Sequence, residues 1–386
     1  MSPQEIRLVS PGEQKIDYLI GVIYSDSDTW FPLQRRGFGI TNWIREFDMQ
    51  SAALFARSTW NINPHNALTV GLRYQDDKMG WSWAFLPARV DATVPDVVSQ
   101  GSSQYDFFSA EASWRHTLAE DVSAWLTLSR AESGKVYDMG NAADGFNGTL
   151  QPLDSQKVTN IEIGLKSLWF ARRLMFNINA FNARYDHYQI RAFDFAETTF
   201  RLSTIGKVET RGMEAEARFR ATSRLDFSAG AAWVDAFIKD LPGAQCYVRQ
   251  TSSEGCVNGV QENLRGTPMP HAPKFRVIGA VQYFMPLDAM PFDLEWSGTW
   301  RWQSKVRFDY RGNPNLQQDG YGVLNLSVML NDRNNRYSLS MFVHNALNKH
   351  FYNNIIDDEG WTESAYSGSF PRDSFRYFGM NLKLYF

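Results

Sequence analysis

GMNLKLYF, Gly379–Phe386, alternates apolar and polar side chains up to a terminal aromatic residue. Successive side chains of a β-strand point to opposite faces. Phe378, Met380, Leu382, Leu384 and Phe386 therefore share one face, and Asn381, Lys383 and Tyr385 the other. The same period of two recurs along the chain. Met213, Ala215, Ala217 and Phe219 interleave with Glu214, Glu216, Arg218 and Arg220, and Leu294, Trp296, Trp300 and Trp302 with Glu295, Ser297, Thr299 and Arg301. Further copies surround Leu68–Tyr74, Ile161–Leu165 and Leu225–Trp233. Each reads as a strand with one oily and one charged face.

Composition narrows what those faces meet. Aromatic residues make up 15% of the 386, yet mean hydropathy is only −0.38. The longest apolar runs, such as Tyr18–Tyr24, fall far short of the roughly 20 residues a membrane helix needs. A transmembrane β-barrel hides its apolar surface in alternate residues and gathers aromatics at two interfaces, which reconciles the two values. A soluble β-sandwich also alternates, but these segments run for about 10 to 13 residues, longer than ordinary globular strands and suited to a tilted membrane crossing. Trp60, Trp114, Phe219 and Tyr283 stand near short breaks, and Tyr24, Tyr74, Trp233 and Trp302 near the opposite strand ends, as two girdles require. With 39 Lys+Arg against 42 Asp+Glu, no basic stripe points to nucleic acid.

Short breaks at 11–14, 63–66, 118–121, 170–173, 221–224, 285–291 and 331–336 alternate with long irregular stretches at 25–48, 78–104, 132–156, 191–197, 237–272, 309–319 and 355–373. The expectation is an all-β, antiparallel outer-membrane barrel domain over residues 1–386 with about 15 strands. Complete single-chain barrels have an even number, so an odd count, together with an N-terminus lacking a secretory signal, reads as the C-terminal part of a larger barrel.

Several segments resemble the TonB-dependent receptors, plugged 22-stranded transporters of Gram-negative outer membranes. QEIRLVSPGEQKIDYLIGVIYS (Gln4–Ser25) is similar to their mid-barrel hairpin. KVTNIEIGLKS (Lys157–Ser167) and VETRGMEAEARF (Val208–Phe219) are similar to strands they carry. VHNALNKHFYNN (Val343–Asn354), FPRDSF (Phe370–Phe375) and the terminal aromatic strand resemble their C-terminal signature. The resemblance implies outer-membrane localisation, eight to twenty-two as the strands present, and uptake of a scarce solute such as a ferric siderophore, cobalamin or a glycan. It also implies lipid around the barrel, recognition by the barrel-assembly machinery through the strand ending at Phe386, and TonB contact through an N-terminal plug region that these residues do not include.

Functional residues are sought in two places. The polar parity, with Arg73, Glu111, Arg115, Glu162, Lys166, Glu214, Glu216, Arg218, Glu295, Arg301 and Lys383, is expected to line a lumen. A small-molecule ligand is expected on the stretch Asp28–Phe47, whose Trp30, Phe31, Arg35, Arg36 and Trp43 combine stacking surfaces with positive charge. Cys246 and Cys256, with nine residues between them in a Gly/Ser/Asn-rich stretch, are a disulfide candidate, with two unpaired thiols as the alternative. Asp357, Asp358 and Glu359 lack the spacing of a calcium loop. The six histidines form no metal or catalytic motif, and no cofactor is expected. A passive porin-like or structural outer-membrane barrel is the alternative, and behind it a membrane hydrolase using His344 with Ser338 or Ser340.

Overall fold

The computed structural model describes residues 3–35, 41–86, 97–138, 152–194, 199–247, 249–357 and 366–385. Ten strands come first: β1 (Gln4–Val9), β2 (Ile16–Arg35), β3 (Thr41–Asn63), β4 (Asn66–Phe85), β5 (Val97–Ala119), β6 (Val122–Glu132), β7 (Lys157–Trp169), β8 (Leu174–Asp194), β9 (Thr199–Arg220) and β10 (Leu225–Asp240). Short strands β11 (Pro242–Gln245), β12 (Cys256–Val257) and β13 (Val260–Asn263) precede β14 (Phe275–Leu287) and β15 (Phe292–Gln303). Next come β16 (Val306–Arg307), β17 (Gln317–Gln318), β18 (Tyr321–Asp332), β19 (Tyr337–His344), β20 (Asn354–Asp357), β21 (Tyr366–Ser369) and β22 (Tyr377–Leu384).

Fifteen of these form one sheet in chain order, β1 to β10, then β14, β15, β18, β19 and β22. Every main-sheet pairing whose register is described is antiparallel. The short strands form separate small sheets within the long connections. The strand count read from the sequence is the count observed. Among the described residues no helix is long and apolar enough to cross a membrane, which says nothing against crossing by strands.

The expected strand lengths need correction. β2, β3, β4 and β5 run for 20, 23, 20 and 23 residues. Most of 25–48 and 78–104, expected to be irregular, is paired strand: Asp26 faces Gln50, Trp30 faces Glu46 and Arg35 faces Thr41, while Trp81 faces Gly101. The connection between β2 and β3 shrinks to residues 36–40, and that between β8 and β9 to 195–198. The reason is chemical. Beyond the apolar band both faces carry polar groups, so hydrogen bonding continues while the oily-versus-charged contrast that marks it in sequence fades.

Contacts cluster into two compact units, one of residues 1–116, 126–161 and 184–207, the other of 117–125, 162–183 and 208–386. In the first unit, Tyr18, Ile20, Val22 and Tyr24 of β2, Leu54 and Trp60 of β3, and Val70, Leu72 and Tyr74 of β4 are exposed apolar residues on one face. In the second, Phe227, Trp233, Phe275, Val281, Trp296, Trp300, Leu326 and Met341 do the same. So many large apolar side chains left in the open cannot be a protein core; they are the face that meets lipid.

The inner face is built around close aromatic–glycine pairs. Phe55 covers Gly21, Trp81 covers Gly101, Trp125 covers Gly164 and Phe342 covers Gly379, and none of these glycines has room for a Cβ. Three of the four are directly opposite in register. A ring on one strand thus lies flat over its neighbour's bare backbone, which pins register. The opening stretch owes its glycine to this: Gly379 is the floor beneath Phe342.

On β22, Phe378, Met380, Leu382 and Leu384 are exposed on the apolar face; Phe386 lies outside the described residues. Met380 pairs with Met341 in the middle of β19. Met380→Arg is therefore expected to block membrane assembly, since a mid-depth charge on the lipid face costs about 2 to 4 kcal/mol. Lys383→Gln on the opposite face should assemble normally; a heat-modifiability gel that failed to separate the two variants would refute this facing.

Candidate functional site

In the first unit the inner face carries an aromatic cluster at the end of β3 and β4 away from their short turn. Trp81 and Trp83 are buried, with Trp43, Phe47 and Tyr137 packed against them. Trp43 and Trp83 lie 6.1 Å apart and Trp81 and Tyr137 5.8 Å apart. The Arg45 guanidinium sits 4.3 Å above the Trp43 ring, so a cation is held on the π-face rather than in water. Farther down the same face, Glu132 accepts hydrogen bonds from Tyr105 and from Ser155 and pairs with Lys157 at 3.4 Å.

In the second unit a cavity of about 600 Å³ opens against the inner face of β9, β10, β14, β15 and β18. Glu214, Arg276, Arg301, Tyr321, Phe351 and Asp373 line it. Tyr321 and Phe351 stack at 4.1 Å, and Arg301 pairs with Asp373 at 3.1 Å. Alternation brings Glu214, Arg276 and Arg301 inward; the two segments 345–353 and 370–376 bring Phe351 and Asp373. Those segments are fixed by Asn345, which is fully buried and left-handed at φ 49°. Its side-chain amide donates to the carbonyls of Lys349 (2.9 Å) and Asp373 (3.1 Å), its side-chain oxygen accepts from the Lys349 N–H (2.8 Å), and its own N–H donates to Asn325 (2.9 Å). Asn tolerates the left-handed conformation and supplies donor and acceptor together, so it ties both segments to β18.

The long connections of this unit are tightly built. Cys246 and Cys256 are disulfide-bonded with Cα atoms 5.8 Å apart, and β11, β12 and β13 form a small sheet around them. Gln261, buried, donates to the Arg311 carbonyl at 3.1 Å. Asn315 donates to the Tyr366 hydroxyl at 3.0 Å. Backbone and hydroxyl hydrogen bonds from Thr251 hold the Glu254 carboxyl below its ordinary pKa. Burial holds the His271 imidazole below its ordinary value, against Phe308 at 5.4 Å.

The stretch expected to capture ligand is divided by strand geometry. Trp30 and Phe31 are consecutive in β2 and so face opposite ways: Trp30 stands opposite Glu46 on the outer face, Phe31 opposite Arg45 on the inner one. Trp43 joins the inner cluster. Arg35 ends β2, its side chain outside the described set, and Arg36 lies outside the described residues, as do Asp358 and Glu359. Arg73, Glu111 and Arg115 share the inner parity in the first unit, and Glu162, Lys166, Glu214, Glu216, Arg218, Glu295, Arg301 and Lys383 in the second. Trp81, Trp83, Tyr137, Arg276 and Tyr321 were not anticipated. Trp81 and Trp83 had a signal available, since they continue the parity of Arg73, Gln75 and Asp77.

His344 stacks on Tyr377 at 4.8 Å and meets the Phe342 edge at 4.9 Å. Ser340, four residues along the same strand, lies about 13 Å away, beyond hydrogen-bond reach. Among the described residues no group of three or more His, Cys, Asp or Glu could hold a metal ion.

Residues 10–346 match the family model described as TonB dependent receptor-like, beta-barrel. The chain belongs to this family. TonB-dependent receptors are transporters and receptors of the Gram-negative outer membrane, and that is where this barrel resides. Among curated proteins, the ferric aerobactin receptor of Klebsiella pneumoniae is 30% identical over 127 residues, 30% of this chain and 17% of the relative. Among solved structures, the ferric yersiniabactin uptake receptor of Yersinia pestis matches at TM-score 0.80 and 16% identity, covering 99% of this chain and 53% of that one. The ferric-catecholate import receptor of E. coli K12 matches at 0.66 and 15%, covering 98% and 53%. The chain thus spans about half of those two structures and a smaller part of the curated relative.

Two expectations follow. Asn345→Ala removes three side-chain hydrogen bonds and leaves alanine left-handed, costing roughly 3 kcal/mol; limited proteolysis should then cut within 345–376 while β-sheet content is kept. Cys246→Ser with Cys256→Ser should leave membrane assembly unchanged and make 246–256 protease-sensitive, because the bridge restrains only its own short loop.

Proposed function

We propose that this chain is the greater part of a receptor barrel that takes up a ferric siderophore in its full-length parent, energised through TonB by way of the plug region. The reading rests on the family together with an inner face that offers stacking rings beside cations: Arg45 on Trp43 with Trp81 and Trp83, and Arg301 beside Tyr321 and Phe351. Siderophore complexes are large, often aromatic and commonly anionic, and rings with adjacent guanidinium groups suit that chemistry. The ferric aerobactin and ferric yersiniabactin receptors among the relatives point to the same ligand class. In this reading residues 1–386 act as one barrel domain whose polar parity forms the hydrated wall around a plug. Phe31, on the same face as Arg45, and Trp43 belong to the ligand surface, whereas Trp30 faces away from it.

The test is uptake of ⁵⁵Fe-labelled siderophores by cells carrying the full-length parent as their only such receptor. Uptake is expected to require TonB, and Trp83→Ala should reduce it several-fold at equal surface expression. TonB-independent uptake, or accumulation of cobalamin or glycans but no iron complex, would overturn the proposal.

A further inference from the structure

The aromatic cluster of the first unit is closed. Trp81 and Trp83 are its central rings, yet they are 6% and 2% exposed, so neither offers a face to an incoming ligand. Whatever stacks there has to replace something. Three side chains pack on the pair. Trp43 and Phe47 belong to β3, whose ladder with β4 sets Phe47 directly opposite Trp81, so they cannot withdraw without breaking backbone pairing. Tyr137 alone comes from a connection, and its ring lies 5.8 Å from that of Trp81.

The segment 133–138 that carries Tyr137 is fastened on both sides of it. Ser133 N–H donates to the Gln156 carbonyl at 2.9 Å, Leu153 N–H to the Val136 carbonyl at 2.8 Å, and Leu202 N–H to the Asp138 carboxylate at 2.7 Å. Gly134 is pressed to the wall so closely that a Cβ there would come within 2.8 Å of the Asp77 carboxylate. The Tyr137 side chain itself is held less firmly, as a comparison with its neighbour Tyr105 shows. The Tyr105 hydroxyl is bonded to Glu132 and Ser155, and Lys135 sits over its ring at 5.4 Å. Among the described residues the Tyr137 hydroxyl has no hydrogen-bond partner, and packing on Trp81 is what holds the ring. Rotation about the side-chain bonds of Tyr137 therefore uncovers Trp81 while the backbone stays in place.

The seat left behind has a definite chemistry. Its floor is an indole face, which suits an aromatic ring. Along the same face the Trp43 indole N–H is buried and, among the described residues, unpartnered. A buried donor without an acceptor is uncommon in a folded protein. The Arg45 guanidinium, over the Trp43 ring, adds positive charge beside it. A group that joins a ring to an electron-rich oxygen answers all three, and a hydroxyaryl group with an ionised or metal-bound oxygen is that combination.

We propose that the Tyr137 ring is a resident cap on Trp81, and that a hydroxyaryl arm of the ligand displaces it and stacks in its place. The proposal rests on the uptake reading and adds to it a class of ligand and a closed resting state of the site.

The full-length parent, labelled with 5-fluorotryptophan and purified in mild detergent, is titrated with 2,3-dihydroxybenzoate and with ring-free acetohydroxamate. The ¹⁹F resonance of Trp81, assigned by its loss in W81F, should move with dihydroxybenzoate alone. Y137A should bind dihydroxybenzoate up to about tenfold more tightly, the worth of one aromatic pair, and should shift the Trp81 resonance before any probe is added. Y137W, with a larger ring over Trp81, should weaken binding several-fold. Weaker binding by Y137A overturns the proposal, because truncating a residue that contacts the ligand lowers affinity, whereas removing a competitor raises it. A Trp81 resonance unmoved by millimolar dihydroxybenzoate overturns it as well, and so does an equal response to acetohydroxamate. Should dihydroxybenzoate move Trp81 and bind Y137A more tightly while no iron complex is taken up by cells, the uptake reading fails and the cap stands.

Discussion

A chain that crosses hydrocarbon must pair its backbone N–H and C=O groups within the protein, since an unsatisfied group there costs several kcal/mol. In this protein the sheet ladder meets that demand, and the rest of the structure depends on it. An extended ladder assigns alternate side chains to different solvents, so one parity becomes a lipid surface and the other a hydrated wall. The near-absence of an ordinary apolar core follows. Among the described residues buried hydrophobic ones are few and lie mostly where inner-face aromatics or the long connections cover them, while the large apolar side chains are spent on the outside.

The same constraint explains the inner wall. A face that cannot pack against a second apolar layer needs another way to hold register, and the aromatic–glycine pairs provide it. Each ring buries its own flat surface on a neighbour's backbone, and a one-residue slip would place the ring over a side chain that cannot yield. Register is thus carried by four local contacts as well as by the ladder, and one of them ties β22 to β19 through Phe342 and Gly379. Asn345 extends this anchoring beyond the strands, because the chain leaving β19 turns at a left-handed residue whose side chain reaches both returning segments. The paired Arg301 and Asp373, and the stacked Tyr321 and Phe351, are positioned by that turn.

Much of this was legible in the sequence, and the boundary of legibility is physical. Fifteen strands and the facing of Glu214, Glu295, Arg301 and Lys383 could be read because within the membrane the two faces differ in solvent, and residue type follows solvent. Beyond that band the rule lapses. Asp26, Asp28 and Trp30 on one face, and Ser25, Ser27 and Phe31 on the other, are equally at home in water, so β2 and β3 continue unseen. An irregular loop over Asp28–Phe47 would make neighbours in sequence neighbours in space, whereas the strand found there sends Trp30 and Phe31 to opposite faces. Extending the parity of Arg73 through Gln75, Asp77 and Met79 would have reached Trp81 and Trp83. Tyr137 and Phe351 had no such signal, since their positions come from connections whose paths no periodicity describes.

Charge completes the division of faces. On the wall that meets water inside, opposite charges are interspersed, as with Arg57 and Glu111, or Arg301 and Asp373, so no single sign dominates. The outward parity beyond each unit's apolar band carries both signs as well. In the first unit Lys78 shares a face with Asp76 and stands opposite Gln50, which faces Asp26; in the second, Asp235 holds Arg211 and Lys274, and Glu209 holds Lys239. Where the strands run on past the apolar band, charge of one sign is set beside charge of the other, which offsets the repulsion that like charges facing one another add to a ladder that has to continue there.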